Sequence, residues 1–336
     1  MSVLRHRSSV SVLVFAAVVA LATIGCATSG GLGQVPSTPP TAAPSIDAGP
    51  PDETPAPSVS PSPTGSSGPS GSPSSTPSPS STSETMIVRT YLVLGGEPGV
   101  TGLVPTLQVV PKTAGVARAA MEALLEMGTT PQISTHGVTV QAITSAIPNG
   151  TTLLDLSIKD GVATVDLSRE FASGGGSASS FLRLGQVVYT LTQFSTVRSV
   201  LFQVEGQTVT TFGPEGIVLQ GPQTRADFRD QLPTIFVDRP AFGAAANNPA
   251  RITGNADVFE AAFRIALLDG SGKVLVDQHA MATCGAGCEP RGTFDVTLQY
   301  DVPKAQWGTL RVYEPSAKDG SPQDVRDYPV WLTPAG

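Results

Sequence analysis

Chemically reactive residues are scarce in this chain of 336 residues: it has three cysteines, three histidines and only 6% Phe, Trp and Tyr. That scarcity limits the chemistry available. Charge is thin as well, at 14% Asp, Glu, Lys and Arg, with a net charge of −7 and no basic stripe. This argues against nucleic acid as a partner. Long apolar runs are absent except for Val10–Ile24, which is short of the roughly 20 residues a bilayer-spanning helix needs. Neither a Gly-x-Ser-x-Gly elbow nor a Ser-x-x-Lys motif with its partners occurs. His136 falls in a polar stretch with no nucleophile beside it.

What is present begins with an address. Arg5 and Arg7 precede the apolar run, and small residues follow it, the layout of a secretory signal peptide. An N-terminal anchor that is never cut is the alternative. Thr23-Ile24-Gly25-Cys26 resembles the lipobox of bacterial lipoproteins, although that family usually has Leu where Thr23 stands. The resemblance implies a leader over residues 1–25, lipidation of Cys26 and attachment to the outer face of the cytoplasmic membrane. Two acyl chains anchor stably where one does not. Loss of Arg5 and Arg7 with the leader takes the net charge from −7 to −9.

Residues 26–85 are dominated by Pro, Ser, Thr and Gly, as in SPSPTGSSGPSGSPSSTPSPSS. Such a composition cannot bury enough apolar surface to offset ordering entropy, and it predicts a disordered tether. About 55 such residues reach on the order of 100 Å. Ser and Thr next to Pro also fit O-glycosylation, with a plain spacer as the simpler reading.

Residues 86–228 read as an α+β domain with a mixed sheet. MIVRTYLVLG and LVPTLQVVP predict strands, and GVARAAMEALLEMG a helix with Val116, Ala120, Leu124 and Met127 on one face and Gly128 as its stop. Pro148-Asn149-Gly150 signals a turn, and Lys159-Asp160-Gly161 a hairpin between Leu153–Ile158 and Val162–Leu167. SASSFLRLGQVVYTLTQF predicts a second helix, with Phe181, Leu184, Val188 and Leu191 as its stripe, before the strand SVLFQVEG. The order IPNGTTLLDLSIKDGVATVDLSREF, GQVVYTLTQFSTVRSVLFQVEGQ and TRADF resembles the GerMN domain family of sporulation and spore germination. Members of that family often place an acid near the start of the second helix, where this chain has Ser179 and Ser180.

Residues 232–334 contain short alternating segments split by turn signals, among them Asp269-Gly270 and Asp319-Gly320. About seven strands in roughly 100 residues fit an immunoglobulin-like sandwich. GNADVFEAAFRIALLDGSGKVL, GTFDVTLQY and YEPSAKDGS resemble the immunoglobulin-like domain of bacterial spore germination, a family that commonly follows GerMN.

Candidate functional residues are few. Cys284-Gly-Ala-Gly-Cys288 reads as a disulfide that stiffens a hairpin tip, because an exported chain meets oxidising conditions. The redox signature has two intervening residues, not three. His279 with the two cysteines offers three metal ligands but no fourth, so no metal and no cofactor is expected. Ser173-Gly-Gly-Gly-Ser177, between strand and helix, allows an anion cradle. A flexible connection with Ser as helix cap is the plainer reading. Asn149-Gly150-Thr151 forms a glycosylation sequon that reads as a turn. Asp155, Asp166 and Glu170 are carboxylates that a glycosidase pair would need, and equally ordinary charges at strand ends.

These readings converge on a non-enzymatic, lipid-anchored envelope protein whose two modules bind peptidoglycan or a membrane protein complex. A cell-wall glycan hydrolase using Asp155 and Asp166 is the rival. The GerMN resemblance also leaves open a signalling accessory role beside a sensor kinase.

Overall fold

The computed structural model describes residues 84–95, 101–128, 133–135, 138–140 and 143–336. The leader, Cys26, the tether up to residue 83 and His136 lie outside them.

The first domain holds β1 (Thr85–Leu94), β2 (Gly102–Pro111), α1 (Val116–Glu126), β3 (Ile133–Thr135), β4 (Val138–Val140), β5 (Ile143–Thr144), β6 (Leu153–Lys159), β7 (Val162–Leu167), α2 (Ser177–Leu191), β8 (Ser199–Val204), β9 (Gln207–Thr208), β10 (Thr211–Phe212) and β11 (Ile217–Val218). Its strands divide between an antiparallel sheet, β2-β1-β5, and a mixed sheet, β6-β7-β8-β9, in which β7 and β8 run parallel. The parallel pair demands a crossover, and α2 supplies it. Two short hairpins, β3-β4 and β10-β11, stand apart from these sheets.

Local sequence explains these elements. α1 buries Ala120, Met121, Ala123 and Leu124, and Gly128 follows with φ of 59°, the left-handed residue that ends a helix without a Cβ penalty. Asp160 and Gly161, at φ of 53° and 85°, make the tight β6-β7 turn. α2 is buried on nearly every side, including its polar residues Arg183, Gln186 and Thr190. No helix among the described residues is long and apolar enough to cross a membrane.

The second domain is an all-β sandwich of β12 (Ile235–Arg239), β13 (Ala245–Ala246), β14 (Ala250–Ala256), β15 (Ala262–Leu268), β16 (Val274–Met281), β17 (Gly292–Leu298), β18 (Gln306–Pro315) and β19 (Pro322–Leu332). Sheet β12-β14-β17 faces sheet β13-β19-β18-β15-β16. The edge-to-face pair Phe263–Phe294 bridges the two sheets at 4.9 Å between centroids. Gly254 in β14 lies so close to the Phe236 carbonyl that any Cβ there collides with it.

The two domains share one apolar core, which runs from Tyr91 and Leu103 through Ile235 and Phe242 to Tyr328. Phe242 N–H donates to the Pro105 carbonyl at 2.8 Å, and Thr106 bridges Phe242 in parallel. Arg89 Nη1 donates to both carboxylate oxygens of Asp238 at 2.9 Å, linking β1 to β12. Burial opposes the charge on Arg89, but Asp238 outweighs it and holds the guanidinium above its ordinary value.

Candidate functional site

The residues singled out in the sequence do not assemble into one site. Cys284 and Cys288 are joined, with Cα atoms 6.3 Å apart. Their loop is not a hairpin tip: it connects β16 of the five-stranded sheet to β17 of the three-stranded one. The loop is held in place by the β14–β15 connection, where Asp257 Oδ1 accepts from Gly287 N–H at 2.7 Å and Val258 O from Ala286 N–H at 2.8 Å. His279 sits in β16 opposite Arg264. No group of three or more potential metal ligands comes together among the described residues.

The glycine loop before α2 works as the reverse of an anion cradle. Its carbonyls converge on a cation: Arg183 donates to the carbonyls of Phe171 (2.6 Å), Ser173 (3.0 Å) and Gly174 (3.1 Å), and to that of Ala146 at 2.9 Å. Nor does serine cap the helix. Gly176 is the N-cap, and no side chain bonds to it there. Asn149-Gly150-Thr151 is a turn, with Thr151 Oγ1 donating to Pro148 O at 2.8 Å and Gly150 at φ of 83°.

Asp155 and Asp166 stand directly opposite one another across β6 and β7. Each is already engaged, Asp155 with Arg118 at 3.2 Å and Asp166 with the Gly206 N–H at 3.0 Å. Glu170 is on the surface beside Arg169, and a hydrogen bond with Ser168 lowers its pKa. The three carboxylates line no shared cleft.

A groove runs along the domain junction. One chamber, of about 370 Å³, is lined by Tyr189, Arg225, Arg229, Asn255, Glu289 and Arg291 among others. A second, of about 500 Å³, shares Arg225, Asn255 and Thr293 with it and adds Asp238 and Asp295. Arg225 lies between them. Its guanidinium stacks over the rings of Tyr189 at 4.7 Å and Tyr91 at 5.6 Å. It donates to Thr192 Oγ1 and the Tyr189 carbonyl, and ion-pairs with no carboxylate among the described residues. Arg291 is also without such a pair. Its terminal nitrogens hold the Arg229, Pro233 and Thr234 carbonyls, while its Nε is buried and unbonded. Asn255 Oδ1 is likewise a buried acceptor without a donor.

The acids of the groove are otherwise committed. Asp238 is held by Arg89, and Asp295 by Arg251 at 2.5 Å. Arg229 is shared between Asp257 at 3.4 Å and Glu289 at 3.7 Å. Burial pushes the Tyr189 hydroxyl up to about 12, so it stays protonated in the groove wall. Arg225 and Arg291, neither in an ion pair among the described residues, therefore line this concavity on a chain of net charge −7.

Residues 91–210 match the family model Germane, sporulation and spore germination, and residues 234–321 match Gmad2, the immunoglobulin-like domain of bacterial spore germination. The chain carries both domains, in that order. Among solved structures, it is similar to the first GerMN domain of the sporulation protein GerM from Bacillus subtilis. That match has 22% identity and a TM-score of 0.34, and covers 42% of this chain and 98% of that one. It is also similar to the tandem GerMN domains of the same protein, with 17% identity, a TM-score of 0.37, and coverage of 64% and 62%. No curated protein matches the chain.

The groove thus draws Tyr189 from the Germane domain, Asn255 and Arg291 from the Gmad2 domain, and Arg225 and Arg229 from the segment between them. Reading the sequence for motifs missed all five. The nearest signal was the cationic pair in TRADFRD, where Arg225 and Arg229 interrupt an acidic chain.

Proposed function

We propose that this Germane–Gmad2 protein is a non-enzymatic envelope protein, lipid-anchored at Cys26 outside the cytoplasmic membrane. In this reading the junction groove binds an anionic group of an envelope component. The observation that carries the proposal is the pair Arg225 and Arg291, two guanidiniums without carboxylate partners on one cavity wall. Guanidinium pairs with carboxylate by charge-assisted hydrogen bonds. A peptide carboxylate is such an anion, and peptidoglycan stem peptides present it in quantity. The Germane and Gmad2 family matches, both to sporulation and germination families, support an envelope role in that process. Asp155 and Asp166, each already bonded, weigh against glycan hydrolysis.

The test incubates the detergent-extracted full chain with intact sacculi and follows both retention and soluble fragments. Saturable retention without fragments, weakened about tenfold or more by Arg225→Gln, is expected for a lost charge-assisted contact. Fragments that vanish with Asp155→Asn or Asp166→Asn would establish a hydrolase instead. No retention at all would remove peptidoglycan as the ligand.

A further inference from the structure

β6 is an outer strand of the mixed sheet and pairs on one side only, with β7. It is conspicuously open: five of its seven residues are exposed, Leu154 at 46% and Ile158 at 41% among them. An edge of this kind offers unpaired backbone N–H and C=O groups to another strand.

Which groups face outward follows from the turn. Asp160 and Gly161 both have positive φ and form a two-residue loop, which leaves Lys159 and Val162 as a hydrogen-bonded pair. Alternation then directs the backbone groups of Asp155, Ser157 and Lys159 to β7, and those of Leu156 and Ile158 to the open edge.

We propose that β6 pairs antiparallel with β6 of a second copy, about a two-fold axis through Ser157. Only registers that join outward-facing residues are permitted. The register centred on Ser157 hydrogen-bonds Leu156 to Ile158 of the second copy, and Ile158 to its Leu156. It also sets Asp155 directly opposite Lys159 of the second copy, at non-hydrogen-bonded positions where side chains approach most closely. Both charge pairs form at once because the contact is isologous. Shifting the axis to Leu156 or Ile158 keeps the backbone pairing but moves Lys159 away from Asp155 of the second copy.

Two observations favour this occupant. Asp155 faces Asp166 of β7, a like-charge cross-strand pair that costs stability. A lysine on the other side of Asp155 offsets that repulsion. Lys159 has no ion-pair partner among the described residues, and Arg118, which reaches Asp155, divides itself with Glu122. The pairing also joins the two apolar grooves of about 680 Å³ that run beside Leu156, Ile158, Val116 and Phe194. It is independent of the junction groove and of what binds there.

The test is cysteine cross-linking of the full chain in membranes. Ser157 faces its symmetry mate at about 4.5 Å between Cα atoms, within disulfide range. Thr164 on β7 lies about three strand spacings, roughly 14 Å, from its own mate. Mild oxidation is expected to give a disulfide dimer with Ser157→Cys, its link identified by peptide mass, and none with Thr164→Cys. Adding Lys159→Asp should cut the yield roughly tenfold by placing like charges opposite at both ends. Adding Asp155→Lys to that variant should restore it. No dimer with Ser157→Cys, equal dimer at both sites, or indifference to the charge reversal would each overturn the proposal.

Discussion

Arg183→Met is the most informative single perturbation of the fold. Arg183 is 2% exposed and has no carboxylate in contact. Burial lowers its pKa, with Glu215 opposing from a distance. Its guanidinium instead gathers four carbonyls, of Ala146, Phe171, Ser173 and Gly174. Methionine matches the arginine stem out to Nε and has no donor. The Ser173 and Gly174 carbonyls lie on an exposed loop and recover water. The Phe171 and Ala146 carbonyls are more enclosed, and each loses its donor at about 1–3 kcal/mol. Removing the buried cation returns part of this. A net loss of about 3–4 kcal/mol remains, which at about 2–4 °C per kcal/mol lowers Tm by roughly 10 °C. Urea unfolding followed by circular dichroism, together with a thermal melt, measures it. Arg183→Lys should fall between, because one ammonium cannot fork to four acceptors. If Arg183→Met melts within about 2 °C of the parent, the four bonds do not hold the loop and the reasoning fails.

Alkali should destabilise the protein through its buried phenols. Burial pushes Tyr189 and Tyr328 up to about 12 from an ordinary 10.0, so the folded state keeps protons that the unfolded chain has released. The stabilisation is full below pH about 10 and is lost as pH rises towards about 12, at up to about 3 kcal/mol per tyrosine. Urea midpoints unchanged between pH 9 and 12 would contradict it. Non-reducing peptide mapping should find Cys284 linked to Cys288, with reduction costing about 2 kcal/mol for so short a loop; two free thiols would rule the bond out. Cys26→Ala should move the protein from the membrane fraction to the medium, and unchanged retention would favour an uncut anchor.

Local pattern made much of the fold legible. β1, both helices and the β6–β7 hairpin follow from alternation, helical spacing and Asp160-Gly161, and these signals act within a few residues. The division of the first domain into two sheets was not legible, because it depends on which strands meet over distance. The stripe Phe181, Leu184, Val188 and Leu191 marked only one side of α2. Arg183, Gln186 and Thr190 are buried too, since backbone carbonyls and amides from elsewhere satisfy them, as Tyr91 O does for Gln186 at 2.9 Å. The Cys284–Cys288 loop read as a hairpin tip because its glycines resemble a turn, whereas its strands belong to different sheets. The groove stayed hidden for the same reason: its arginines come from one short segment and from a loop some sixty residues later.

The core shared across the domain junction makes the two halves a single heritable unit. Severed near Pro233, the first fragment would carry a raw β2 flank without Phe242 and an Arg89 deprived of Asp238. The second would lose the Pro105 carbonyl that Phe242 N–H bonds. On the ribosome, the earlier half emerges with that seam open and waits for residues 235–242 to close it. A chain built this way is expected to melt in one transition and to resist proteolysis at the linker between its two domains.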